Sequence, residues 1–215
     1  MRSRRCLALQ KDDVLRPIVG EKALMGGTAQ VSAVIARPGV IAQTGSIQRL
    51  VFGEYDASRS ARAEAFLEAC RKGGIDAEIS SDIRREIWEK YVFLVGFSAA
   101  TTAMRAPIGP IRDHPLTRAF LRDLMAEVVA VGRANTVGLP DDYADDRLGF
   151  IDTLHPEMMA SMAHDLLNGN RLELPWLSGG VVGLGERAGV PTPLNRAVRD
   201  VLALYSDGGG PGRPT

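Results

Sequence analysis

Hydrophobic and polar positions change their period near residue 80. Before it, short β-branched runs stand between turn residues. Met25–Arg37 reads as a strand, Pro38-Gly39 as a turn and Val40–Gln43 as a second strand. Gly45-Ser46 marks a further turn, and Arg49–Glu54 a third strand. Ser58 opens a helix over Ala61–Lys72 that turns Ala65, Phe66 and Ala69 towards a core and stops at Gly73-Gly74. A short strand around Ala77–Ile79 follows.

Beyond residue 80 the spacing is helical throughout. Asp82 is a candidate N-cap for a helix that runs to Met104, where the Arg105–Pro110 stretch RAPIGP breaks the pattern. Pro115–Thr136 carries Phe120, Leu124, Val128 and Val131 at helical spacing. Asp141–Leu154, Pro156–Asn168, Leu177–Ala188 and Leu194–Tyr205 complete the set, several of them separated by proline joints. The Gly- and Pro-rich end SDGGGPGRPT is expected to be disordered.

Composition narrows the class without naming a chemistry. The 215 residues are 45% hydrophobic and 24% charged, with 26 basic and 26 acidic side chains and a formal net charge of zero. That is ordinary for a soluble globular protein, and no basic excess calls for nucleic acid. No apolar run reaches the roughly 18 residues that would span a bilayer, so no membrane association is expected. The opening MRSRRCLALQ has basic residues but no apolar core, unlike a secretory signal. Cys6 and Cys70 are too few for a disulfide framework or a metal knuckle, and a cytoplasmic location fits them.

Lys90 stands inside the apolar run of IRREIWEKYVFLVGFS, on the helical stripe of Ile87, Leu94 and Phe97 that should face the core. It reads either as an ion pair with Glu86 one turn back, its stem lying on apolar neighbours, or as the lysine of a cleft wall. Partial desolvation would suit the second reading to proton donation or anion binding. Glu173, flanked by Leu172 and Leu174, reads by itself as a first-turn acid near a helix start. The glycines of Gly183–Gly189 lie in a helix with no strand before them, so helix packing and a C-cap explain them better than a phosphate loop. His114, His155 and His164 have no metal-site spacing, and Cys70 reads as a buried core residue.

Several segments together carry a resemblance: RPGVIAQTGSIQRLVFGE, DIRREIWEKYVFL, RAPIGPIR and SMAHDLLNGNRLELPWLSGGVVGLGERAGVPTPLN. In order and spacing they resemble the ketopantoate reductase (2-dehydropantoate 2-reductase) family, over about Gly20 to Tyr205. The resemblance implies NADPH-dependent reduction of a 2-oxo acid, ketopantoate or a relative of it, in pantothenate and coenzyme A biosynthesis. It implies that Lys90 protonates the ketone oxygen, that Ser161 contacts the substrate carboxylate and that Glu173 binds the substrate hydroxyl. Leu94 and Ser98 stand where some members place asparagines one and two turns after the lysine, and Ser98 is taken as substrate-binding. Met158 replaces a further asparagine.

The same resemblance implies a fold that is α+β overall. Residues 1–81 are expected to form a truncated Rossmann-type α/β segment, the C-terminal remnant of an NADPH-binding domain whose glycine loop is absent. Residues 82–206 are expected to form an all-α substrate and dimerisation domain like that of 6-phosphogluconate dehydrogenase, with 207–215 as the tail. The cofactor-binding residues stay unknown, no metal is expected, and a homodimer is. Two alternatives remain open: a reductase, or a non-catalytic paralogue that serves only as a substrate-domain or dimerisation module.

Overall fold

A computed structural model describes Leu9 and residues 11–209, the side chains at 32, 34, 35 and 44–47 excepted. The start MRSRRCLALQ and Cys6 thus lie almost wholly outside the described residues. The chain is mostly helical, with a small sheet towards the N-terminus and a helical C-terminal domain. It divides into two compact units, Asp12–Ile87 and residues 1–11 with 88–215. None of the described helices is long and apolar enough to cross a membrane.

The first unit opens with helix α1 (Lys11–Val19) and a short 3-10 turn at Glu21–Ala23. Strands β1 (Gly26–Arg37) and β2 (Val40–Gly53) form an antiparallel hairpin, and helix α2 (Ala61–Lys72) leads to β3 (Asp76–Ile79), which pairs with β2 in parallel. A parallel pair needs such a crossover, so β2–α2–β3 supplies the expected α/β unit. The turn expected at Gly45-Ser46 is instead part of one long strand. There the pairing jumps from Val31↔Gln48 to Ala33↔Gln43, an irregularity that absorbs the glycine without ending the strand.

The core-facing side of α2 also differs from expectation. Ala63, Leu67 and Cys70 are buried, whereas Ala65, Phe66 and Ala69 are exposed. The helix is capped by Ser60, whose hydroxyl accepts from the Ala63 N–H, and that start fixes the phase of the buried stripe. Phe66 still lays its ring edge against Phe52, with centroids 4.8 Å apart.

One buried carboxylate organises this unit. Glu54 accepts from Ser60 Oγ at 2.5 Å and from Arg62 Nε at 2.6 Å. Arg62 also donates to the carbonyls of Lys22 (2.7 Å) and Leu24 (3.0 Å), tying the 3-10 turn to α2. These donors favour the charged form, so the Glu54 carboxyl is held below its ordinary value, by Arg62 first and Ser60 next.

Helix α3 (Ile83–Met104), whose residues from Trp88 on belong to the second unit, begins where Asp82 was expected to cap it: the Arg85 N–H donates to Asp82 Oδ1 at 3.1 Å. The RAPIGP break contains the start of a short helix, α4 (Ile108–Asp113), followed by α5 (Pro115–Ala134) and α6 (Tyr143–Asp152). Helices α7 (Ser161–Asn168), α8 (Ser178–Ala188) and α9 (Pro193–Leu202) follow, then a 3-10 turn at Ala203–Tyr205. The helix expected from Pro156 begins five residues later, because residues 156–160 run as a strap whose carbonyls face α4. Pro156 O accepts from the Gly109 N–H at 2.8 Å, and Met158 O from the Ile108 N–H at 2.9 Å. The strap thereby satisfies the orphan donors of the α4 start.

Helix α5 is the hub of the core. Leu121, Leu124, Met125, Val128 and Val131 are fully buried, while Phe120 is half-buried. Its Glu127 caps α9: the carboxylate accepts from the Leu194 N–H at 2.7 Å and the Asn195 N–H at 3.0 Å. The opposite side of α5 is joined to α6 by the two-pronged pairs Arg118–Asp152 (2.6 and 2.7 Å) and Arg122–Asp145 (2.9 and 3.0 Å). Helix α8 ends at Gly189 with φ 68°, a left-handed cap that explains the last glycine of Gly183–Gly189. Residues 207–209, expected to begin a disordered tail, turn back, and the Gly209 N–H donates to Gly169 O at 2.9 Å. Residues 210–215 of that tail lie outside the described residues.

A depressed carboxyl pKa stabilises the fold above the unfolded value, and that stability is lost as pH falls through the folded one. The Asp12–Ile87 unit should therefore lose stability below about pH 4.5, the ordinary value for Glu54. Glu54→Gln should lower the melting temperature at neutral pH and flatten this acid slope, as read by calorimetry across pH. Two glycines should differ in sign under urea denaturation. A Cβ at Gly109 would lie 2.7 Å from Pro156 Cβ and 3.1 Å from its carbonyl oxygen, so Gly109→Ala should cost ~1–3 kcal/mol. Gly149, inside α6, meets nothing within 4 Å, and Gly149→Ala should stabilise by ~0.5–1 kcal/mol.

Candidate functional site

Helix α3 is apolar nearly all round, but its burial is uneven. Ile87, Trp88, Tyr91, Val92, Val95, Ser98 and Ala99 are buried, whereas Glu86, Glu89, Lys90, Phe93 and Leu94 are half-buried. Lys90 therefore sits on the more open stripe, one turn before Leu94, rather than on the side that packs into the core. That resolves the anomaly of a cation in an apolar run. A half-buried side chain keeps part of its length open to solvent, which is how lysine is commonly accommodated on an apolar helix. Ser98, eight residues on, is only 4% exposed.

Ser161 is the first residue of α7 and is exposed. The preceding Ala160 occupies the N-cap and offers no side-chain cap, so the start of α7 presents backbone N–H groups beside the Ser161 hydroxyl. Such a terminus favours an anion. Its position comes from α3: the Ala160 N–H donates to Thr101 Oγ1 at 3.3 Å, and Thr101 Oγ1 donates to Phe97 O at 2.8 Å. Met158, on the same strap, is 40% exposed.

Glu173 is half-buried in the turn between α7 and α8. Its carbonyl accepts from the N–H groups of Trp176 (2.9 Å) and Leu177 (3.1 Å), which closes the turn. The far side is held by α3 again. Tyr91, next to Lys90 in sequence and 2% exposed, points its hydroxyl at Trp176 O (2.8 Å) and Leu177 O (3.0 Å).

One helix thus carries Lys90 and is hydrogen-bonded to both segments that carry the other candidates, Ser161 and Glu173. Ser98 differs from them, being enclosed in the helix packing. The sequence reading passed over Tyr91 and Thr101. Their hydroxyls are hidden in an apolar helix, and the only available signal was two hydroxyl-bearing residues on stripes that should be buried. The histidines are all exposed, and among the described residues no three His, Cys, Asp or Glu side chains gather as a metal site.

Comparisons with known proteins give this arrangement its context. The sequence profile described as "Ketopantoate reductase PanE/ApbA C terminal" matches residues 82–206, more than half of the chain. The uncharacterized oxidoreductase YkpB of Bacillus subtilis (strain 168) is 30% identical over 189 residues, which cover 86% of this chain and 61% of that protein. The 2-dehydropantoate 2-reductase of Halobacterium salinarum is 26% identical over 191 residues, covering 89% of this chain and 62% of its own length. The crystal structure of a PanE/ApbA family ketopantoate reductase from Ralstonia eutropha JMP134 matches with a TM-score of 0.82 at 27% identity, over 93% of this chain and 64% of that one. The chain accordingly spans about three fifths of the length of these curated relatives. By the profile match and the shared fold, this chain belongs to the ketopantoate reductase PanE/ApbA family.

Proposed function

We propose that residues 82–206 form the substrate half of a 2-oxo acid reductase, binding and protonating 2-dehydropantoate or a close relative. The observation that carries this reading is the role of α3, which bears Lys90 and anchors the Ser161 and Glu173 segments through Thr101 and Tyr91. A hydride added to the ketone carbon by a nicotinamide dinucleotide would open the C=O bond and leave charge on the oxygen, and an ammonium beside that oxygen would stabilise the charge and supply the proton. In this reading Lys90 is the proton donor. The Ser161 hydroxyl and the α7 N-terminus take the carboxylate, and Glu173 accepts from the substrate hydroxyl. Leu94 and Met158 offer apolar contact where some relatives place amides, which favours a 2-oxo acid with a less polar side chain.

The nicotinamide dinucleotide that serves the family does not fit the residues described. Phosphate binding calls for a strand, a glycine turn and a helix start with free N–H groups. At the strand-to-helix junction of β2–α2, residues 54–60 hold no glycine, and Ser60 Oγ already takes the Ala63 N–H of the helix start. The described residues of this chain thus suit substrate binding and proton delivery.

Calorimetric titration with 2-dehydropantoate reads the substrate half by itself. Saturable binding is expected, weakened about tenfold or more in Ser161→Ala or Glu173→Ala, as for loss of a hydrogen bond to a charged group. An absence of binding to the wild-type chain would overturn the reading. Fluorescence titration with NADPH then separates reductase from module. Saturable binding, with NADPH oxidation that Lys90→Ala slows about 10²–10⁴-fold at an unchanged melting temperature, identifies the reductase. No binding and no oxidation identify the non-catalytic module.

A further inference from the structure

Two adjacent threonines on α3 are equally buried and differently used. Thr101 and Thr102 are both 0% exposed. The Thr101 hydroxyl spends its hydrogen on Phe97 O at 2.8 Å, as threonine in a helix often does, and this fixes the direction of its lone pairs. One of them accepts the Ala160 N–H at 3.3 Å. Among the described residues the Thr102 hydroxyl has no hydrogen-bond partner.

Ala160 is the residue on which α7 starts. Its backbone is extended (φ −68°, ψ 154°), and its carbonyl accepts from the N–H groups of Ala163 (3.0 Å) and His164 (3.2 Å), closing the first turn. A bond to the Ala160 N–H therefore sets where the helix begins and in which direction Ser161 and the first-turn N–H groups face. Ala160 has no side-chain cap of its own that could do this locally.

We infer that Thr101 is a positioning residue, which holds the α7 N-terminus and the Ser161 hydroxyl in the orientation that binds the substrate carboxylate. The inference rests on the reading of Ser161 given above. Thr101 touches no substrate and acts through Ala160. Valine, its closest shape, would leave the Ala160 N–H buried without an acceptor.

The test is an amide NMR titration of the full chain with 2-dehydropantoate, following the Ser161 and Met162 resonances, together with hydrogen exchange at Ala160. Thr101→Val should weaken binding at least tenfold and speed exchange at Ala160. Thr101→Ser, which keeps the hydroxyl, should bind within about twofold of wild type. Thr102→Val, which removes the neighbouring hydroxyl and leaves Thr101 intact, should also bind as wild type. Thr101→Ala serves as a second variant should valine prevent folding.

Wild-type affinity in Thr101→Val or Thr101→Ala overturns the inference, as does equal weakening in Thr102→Val. If Ser161→Ala loses binding while Thr101→Val keeps it, the positioning role alone falls. If the wild-type chain shows no shift at Ser161 or Met162, the carboxylate reading falls and takes the inference with it.

Discussion

Backbone polar groups that cross a dry core must find partners, and this requirement shapes the helical unit. Residues 155–160 and 169–177 form no helix; the first is exposed up to Met158 and buried at Ala160, the second is buried at Leu172, Leu174 and Leu177. An unpaired buried N–H or C=O costs on the order of 1–3 kcal/mol. Helix α3 meets the demand with two hydroxyls: Tyr91 answers two carbonyls of the second segment, and Thr101 answers an N–H of the first. The starts of α7 and α8 follow from those contacts. An apolar helix with two placed hydroxyls is therefore more than a core filler, because it sets where the irregular segments can run.

Close backbone approach is the second condition. A side chain at Gly96 would meet Met125, and one at Gly132 would meet Trp88 and Leu139, at under 3 Å. These glycines let α3 and α5 pack tightly, and Gly109 lets the strap lie on α4. Shape and hydrogen bonding thus cooperate. A Cβ at residue 109 would press on the strap at Pro156, four residues before its bond to Thr101.

Helix positions were legible in the sequence where a cap and a period agreed. Asp82 and the apolar run after it placed α3, and the Gly189 cap placed the end of α8. Legibility failed where two answers had similar local energies. In α2, where Cys70 was legible as buried, alanines on more than one side left Ala63 and Leu67 hard to tell from Ala65, Phe66 and Ala69. Gly45-Ser46 has turn chemistry but sits in a strand irregularity, where long-range pairing overrides local preference. Lys90 was conspicuous as the wrong residue in its place, whereas its half-open setting depends on which sides of α3 the other helices cover. Tyr91 and Thr101 escaped because a hydroxyl that bonds a distant backbone leaves no mark on local spacing.

The contact between Glu127 and the start of α9 has a consequence for the order of assembly. Most helices carry their start signal within a few residues of themselves. Helix α9 borrows its signal from a residue more than sixty positions earlier in the chain. A ten-residue helix is marginal in isolation, and without the borrowed carboxylate the Leu194 and Asn195 N–H groups of its first turn lose their acceptor. It should therefore form last, as a docking event on a surface already built. Synthesis from the N-terminus delivers α5 first, so the acceptor waits in place when Leu194 and Asn195 emerge. The final helix is in that sense instructed by the hub of the core, which makes its presence a report that the rest has folded.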